Sequence, residues 1–311
     1  MNYRRLGRTN LRVSEVSLGT VELGTEYGIP VQGEVLRPSD AKAERLLNVA
    51  LDAGVNFIDT ASVYGESEAI IGRGLNSRRN EYFLASKAVH LRVEGDNGNT
   101  LRERVQASIA RSLRLLRTDR IDLFYIHSAT LEVIQRGEML EIIQQAQSAG
   151  HVRFIGATTY GEAAAVAVLQ DGRYDCLQIA YNILDRESEV SVLPLASERD
   201  VGVVIRSVLL KGALTYRYTH LPNELNELKS VIRKIDELRG SETGSLQELA
   251  YRYVLAHPVV AAALAGTGRV SELEEVVAFA EKGPLACGLM ESIRNISVDP
   301  EQLNPGNWPR F

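Results

Sequence analysis

Two textures alternate along the chain. Short runs of β-branched, aliphatic and aromatic residues are each followed by a longer segment with apolar positions on a helical repeat. The first long segment shows the logic. Ser39 and Asp40 precede AKAERLLNVALDAG, whose apolar residues at 43, 46, 47, 50 and 51 share one helical face, and Gly54 suits the helix end. The predicted strands are Val16–Gly19, Asn56–Asp59, Tyr82–Lys87, Asp122–His127, Phe154–Thr158, Cys176–Tyr181, Val201–Ser207 and Val260–Gly266. The predicted helices lie near Ser67–Leu75, Thr100–Leu116, Leu131–Ala149, Glu162–Leu169, Val190–Arg199, Leu225–Leu238, Leu246–Ala256 and Ser271–Ala280.

The strand runs are almost wholly apolar, which suits strands buried on both faces of a parallel sheet. Eight strand–helix units in sequence predict a closed (β/α)8 TIM barrel. An open doubly wound sheet is the competing arrangement. Its dinucleotide-binding form lacks support, because no Gly-x-Gly-x-x-Gly follows the first strand. Tyr3–Val13 is expected to form an N-terminal hairpin capping the barrel bottom. The C-terminal tail, Leu285–Phe311, falls outside the repeat, and its last stretch, NPGNWPRF, reads as irregular. With no linker or low-complexity segment, residues 1–311 read as a single domain. The 311 residues would otherwise suggest two domains.

Composition narrows the function classes. A net charge of −5 leaves no general footprint for nucleic acid or anionic membrane. Hydrophobic content of 45% and charged content of 24% describe a folded globular chain. Met1–Asn10 lacks the apolar run of a signal peptide, and no stretch is apolar enough to span a membrane. Cys176 and Cys287 form neither a metal motif nor a disulfide framework. The expectation is a soluble protein of a reducing compartment, the cytoplasm, with no bound metal. Its oligomeric state is left open.

In such a barrel the chemistry lies at the C-terminal ends of the strands. There the second, third and fourth runs end in Asp59, Lys87 and His127, and Tyr64 follows in the loop ASVYGES. Each has a bland reading alone: a turn Asp, a solvated Lys, a structural His, a packing Tyr. Together they meet on one rim. A Lys87 ammonium would lower the pKa of Tyr64, and Asp59 would hold Lys87 charged. Tyr64 would then give a proton to a carbonyl oxygen, with His127 orienting it. No Gly-x-Ser-x-Gly or His-Glu-x-x-His is present. What the set lacks is an electron source.

These residues carry a family resemblance. FIDTASVYGESEAIIGRGL (Phe57–Leu75) is similar to the Asp-Thr-x-x-x-Tyr-Gly motif of the aldo-keto reductase superfamily. FLASK and DLFYIH follow at the family's spacing. The likeness runs from YRRLGRTNLRVSEVSLGT to AGTGRVSELEEV. It implies a catalytic tetrad of Asp59, Tyr64, Lys87 and His127. It also implies reversible hydride transfer between a nicotinamide cofactor and a carbonyl or alcohol carbon.

The resemblance also implies a cofactor lying across the barrel mouth. Gly19, Thr20 and Asp59 would lie near the nicotinamide, and Gln178 would bind its carboxamide. Thr158 and Thr159 stand where the family often has Ser-Asn. In IRSVLLKGAL, Arg206 replaces a common aromatic and would cover the nicotinamide or touch phosphate, with Ser207, Leu209 and Gly212 near the pyrophosphate. Gly266, Thr267, Gly268 and Arg269 open a helix, a geometry suited to anions. Arg269 would pair a 2′-phosphate, favouring NADP(H). Against that, Glu272 can instead bond a free ribose hydroxyl, and Val276 replaces a common Asn beside the matching Glu275, so NAD(H) stays open.

The long Val21–Pro38 loop carries Glu22, Glu26, Tyr27 and Glu34, and suits a sugar or another polar carbonyl compound. Two other readings remain: a nicotinamide-binding regulatory subunit of a larger assembly, and, from the fold alone, a lyase or isomerase.

Overall fold

The computed structural model describes residues 1–89 and 98–309. A two-stranded antiparallel hairpin comes first, β1 (Tyr3–Arg5) and β2 (Arg12–Ser14). Eight parallel strands follow: β3 (Val16–Gly19), β4 (Phe57–Asp59), β5 (Phe83–Lys87), β6 (Ile121–Ile126), β7 (Val152–Thr158), β8 (Cys176–Ala180), β9 (Gly202–Arg206) and β10 (Val260–Gly266). They close in chain order, with β10 pairing both β9 and β3. The predicted (β/α)8 barrel is therefore observed.

The helices are α1 (Val21–Gly24), α2 (Asp40–Asp52), α3 (Ser67–Gly74), α4 (Gly98–Leu116), α5 (Leu131–Arg136), α6 (Glu138–Ser148), α7 (Glu162–Asp171), α8 (Val192–Glu198), α9 (Asn226–Leu238), α10 (Leu246–Leu255), α11 (Val270–Glu281) and α12 (Cys287–Arg294). Three depart from expectation, the first being α1, a single helical turn at the start of the predicted Val21–Pro38 loop. The helix expected over 131–149 breaks at Gly137, whose φ of 70° ends α5 and starts α6. That left-handed conformation suits a residue without Cβ. The tail also contains a helix, α12, which buries Ile293.

Alternation along the strands sorts the core into two layers. Ile58, Leu84, Phe124, Leu177, Val203 and Ile205 face the helices. Phe57, Ala85, Leu123, Tyr125, Cys176 and Val204 face inward and meet Leu6, Leu11 and Val13 of the hairpin. The hairpin thus plugs the bottom of the barrel. One more step of the two-residue repeat carries the inward face to Asp59, Lys87, His127, Gln178 and Arg206. Inside, the barrel is apolar; its upper layer is ionic and polar. His127 itself lies one residue beyond β6, because the strand ends at Ile126.

Candidate active site

The upper layer is organised around one carboxylate. Asp59 pairs with the Lys87 ammonium, both side chains almost wholly buried. Lys87 Nζ also donates to the Thr60 carbonyl at 2.9 Å. Gln178 Nε2 donates to the second Asp59 oxygen at 2.8 Å. This satisfies what buried charge demands: a counter-charge and hydrogen bonds on the remaining positions.

Tyr64 hangs over this pair. Lys87 Nζ lies 5.0 Å from the centre of its ring. The His127 ring meets the Tyr64 ring edge to face, 5.9 Å between centres. A close backbone contact sets the Tyr64 loop. A Cβ at Gly24 of α1 would fall 1.7 Å from the Tyr64 carbonyl oxygen, so only glycine lets the two segments touch.

The electrostatics refine the expected proton chemistry. Burial raises the pKa of Tyr64 and outweighs the opposing pull of Lys87. Lys87 acts in the expected direction, but burial is the larger effect, so in the protein alone Tyr64 keeps its proton at neutral pH. Burial alone would lower the pKa of Lys87, but Asp59 and Tyr64 raise it above its ordinary value. The arrangement is a protonated phenol beside a fixed positive charge.

A cleft of about 1120 Å³ opens from these groups across the barrel mouth. Gly19, Thr20, Asp59, Tyr64, His127, Thr158 and Gln178 line its inner part. Arg206, Ser207, Leu209 and Gly212 line its middle, and Gly266, Thr267, Gly268, Arg269, Glu272 and Glu275 its outer end. Lys87 lies beneath the floor. Thr159 does not join them. It borders a neighbouring cavity of about 500 Å³, and its buried Oγ1 has no partner. Thr158 Oγ1 accepts from the Ser128 N–H at 2.7 Å, so the two threonines do not form a matched pair.

In the middle of the cleft, Ser207, Leu210, Lys211 and Gly212 all have positive φ, from 44° to 95°. The turn is tied internally: the Leu210 and Gly212 N–H groups donate to the Ser207 and Leu209 carbonyls at 2.9 and 2.8 Å. Three non-glycine residues there carry strain, a common feature of functional loops. Arg206 stacks on Tyr160, its guanidinium carbon 4.1 Å from the ring centre. It also donates to the Thr159 carbonyl at 2.9 Å and to Ser207 Oγ at 3.2 Å.

Two carboxylates of the long loop, expected to border a polar pocket, line the cleft. Glu22 is half-buried in the cleft with Oε2 out of solvent and without a partner; burial pushes its carboxyl up to about 7. At the outer end, Glu34 reaches Tyr216, Arg217 and Arg269. Both carboxylates were visible in the long loop, but nothing local in the sequence marks their partners.

The sequence pattern of the aldo/keto reductase family matches residues 15–297. The chain belongs to the aldo/keto reductase family. Aldo-keto reductase AKR11C1 from Bacillus halodurans, in its holo form, superposes with a TM-score of 0.81 at 29% identity, covering 96% of this chain and 97% of its own. L-galactose dehydrogenase of Arabidopsis thaliana is 29% identical over 99% of this chain and 97% of its own length. A probable voltage-gated potassium channel subunit beta of Oryza sativa subsp. japonica is 30% identical over 88% of this chain and 90% of its own. This aldo/keto reductase has no helix among its described residues long and apolar enough to cross a membrane. The same residues hold no cluster of His, Cys, Asp or Glu suited to a metal ion.

Proposed function

We propose that this protein is a nicotinamide-dependent oxidoreductase that interconverts a carbonyl and an alcohol, with Tyr64 as the proton donor in reduction and acceptor in oxidation. The observation that carries the reading is the buried Asp59–Lys87 pair set beneath Tyr64 and His127 at the inner end of the cleft. The cleft fits an extended dinucleotide. It offers the α11 N-terminus for phosphates, and Gln178 and Thr158 for an amide. When bound, the dinucleotide supplies or takes the hydride. Arg206 and Ser207 bound the nicotinamide end.

In reduction, the substrate carbonyl oxygen sits between Tyr64 Oη and His127. As negative charge develops on that oxygen, Tyr64 transfers its proton there. The Lys87 ammonium stabilises the phenolate left behind. Asp59, pinned by Gln178 and Lys87, keeps that ammonium charged and in place. Hydride to carbon and proton to oxygen together make the alcohol. The inner cleft is lined by Tyr27, Tyr64, Tyr160 and Arg206, which suits a polyhydroxylated substrate. The likeness to a sugar dehydrogenase over nearly the whole chain points the same way.

A regulatory reading draws on the channel-subunit relative. Presence of all four polar groups favours turnover, and turnover separates the two. Titration with NADPH and NADH, followed by absorbance loss with aldehydes and sugars, tests the proposal. Tyr64→Phe should retain nucleotide affinity and lose about 10²–10⁴-fold in turnover. Equal activity in wild type and variant would remove Tyr64 from its role.

A further inference from the structure

Loop residues 25–38 arch over the outer end of the cleft, and Glu34 stands where the arch touches down. Its two oxygens meet three donors from two other segments. Tyr216 Oη donates to Oε1 at 2.5 Å. Arg217 and Arg269 both donate to Oε2, the latter at 2.9 Å. Arg217 also holds the Ile29 carbonyl of the same loop at 2.8 Å. On its other side, Arg269 pairs with Glu272 at 2.9 Å, and Glu272 accepts from Thr267. Glu34, Tyr216, Arg217 and Arg269 all line the cleft.

One hydroxyl and two guanidiniums converging on a single acceptor make an anion site. A carboxylate of the chain itself fills it. A phosphate monoester on the outer ribose would need the same donors, and it would meet Glu34 and Glu272 as like charges. A free ribose hydroxyl has no such need and leaves Glu34 in place.

We propose that Glu34 is the cofactor-selecting residue: its carboxylate occupies the anion site of Tyr216, Arg217 and Arg269, so a 2′-phosphorylated nucleotide must displace it and an unphosphorylated one need not. This rests on the nicotinamide-dinucleotide reading above. Selection is then set by a carboxylate on the arch, and displacement frees Glu34 from Arg217 and Arg269 while Arg217 keeps its bond to the Ile29 carbonyl. Arg269 alone does not decide the choice, because Glu34 and Glu272 already share it.

The test measures binding of 2′,5′-ADP and 5′-AMP, then NADPH and NADH, to the full chain by titration calorimetry. Glu34→Gln removes the charge and keeps the size. It should strengthen 2′,5′-ADP and NADPH by about tenfold, with 5′-AMP and NADH within about twofold of wild type. Arg217→Ala should weaken 2′,5′-ADP and leave 5′-AMP unchanged. If Glu34 were only a strut for the arch, Glu34→Gln would weaken both nucleotides alike. That result, or no change in either, overturns the proposal and leaves the dinucleotide reading standing. Failure of wild type and variants to bind any of the four overturns both.

Discussion

At the inner end of the cleft, Asp59 holds an ammonium that solvent barely reaches; at the outer end, Glu34 holds two guanidiniums, Arg269 at the surface and Arg217 12% exposed. Side-chain exposure is 2% for Asp59 and 1% for Lys87, against 25% for Glu34 and 42% for Arg269. The chemistry is the same, a carboxylate gathering cations. The environment makes the difference. Inside, each charge has lost its water, and the pair persists because every partner is supplied by the protein. Outside, water and salt can replace either partner at little cost. The inner set is fixed and suits proton transfer, which needs groups held in place. The outer set is exchangeable and suits selection, which needs a contact that a ligand can displace.

The largest expected effect comes from breaking the inner pair. Asp59→Asn leaves a buried ammonium with the Thr60 carbonyl and Tyr64 but no counter-charge. It should cost about 3–5 kcal/mol of stability in urea unfolding and remove turnover. Asp59→Asn combined with Lys87→Met should recover much of the stability and none of the activity. A loss under about 1 kcal/mol in the single variant would mean that the inner end is as wet as the outer one.

The inner end was legible in the sequence, and the outer end was not. Asp59, Lys87, Gln178 and Arg206 each lie at or near the end of an apolar run, and a two-residue repeat points them into the barrel with Phe57, Ala85, Cys176 and Val204. Barrel topology then collects them, although Gln178 and Asp59 are 119 residues apart. The same alternation explains why Thr158 lines the cleft and Thr159, its neighbour, does not. The split at Gly137 and the α12 helix also left local signals, a glycine inside a helical pattern and the apolar residues Leu289, Met290 and Ile293 at helical spacing. No such rule links Glu34 to Tyr216 and Arg269, which are 182 and 235 residues away. Their meeting depends on how an irregular loop folds over the mouth. The sign of the Tyr64 shift was hidden for another reason: spacing identifies a neighbouring charge but not the burial that opposes it.

Glu22 lies between the two regimes, and it gives an intermediate, pH-dependent effect. It is half-buried, and burial, aided by Glu272, raises its carboxyl to about 7. In the unfolded chain it should titrate near 4.3. Between those values the folded protein holds a proton that the unfolded chain has released. Its favourable contribution is therefore present below about pH 4 and is lost as pH rises through about 7. Glu22→Gln should remove that loss, gaining about 3 kcal/mol relative to wild type at pH 8 and little at pH 4.5. Urea unfolding of both proteins at the two pH values measures it. A difference that does not change with pH would show that Glu22 ionises as freely as a surface group.

The smallest effect is expected at the outer end, and its smallness is what the comparison requires. Glu34→Gln removes an ion pair to Arg269 and another to Arg217, both at partly exposed positions. Exposed pairs contribute about 0–1 kcal/mol each, because the gain in attraction is offset by side-chain ordering and screened by salt. The variant should therefore unfold within about 2 kcal/mol of wild type in low salt. The remaining difference should shrink at 1 M salt, where screening acts over about 3 Å. Asp59→Asn should show no comparable salt dependence, because ions do not enter the barrel. A loss above about 2 kcal/mol for Glu34→Gln, unchanged by salt, would mean that the arch is bound into the fold like the inner pair and is not available for displacement.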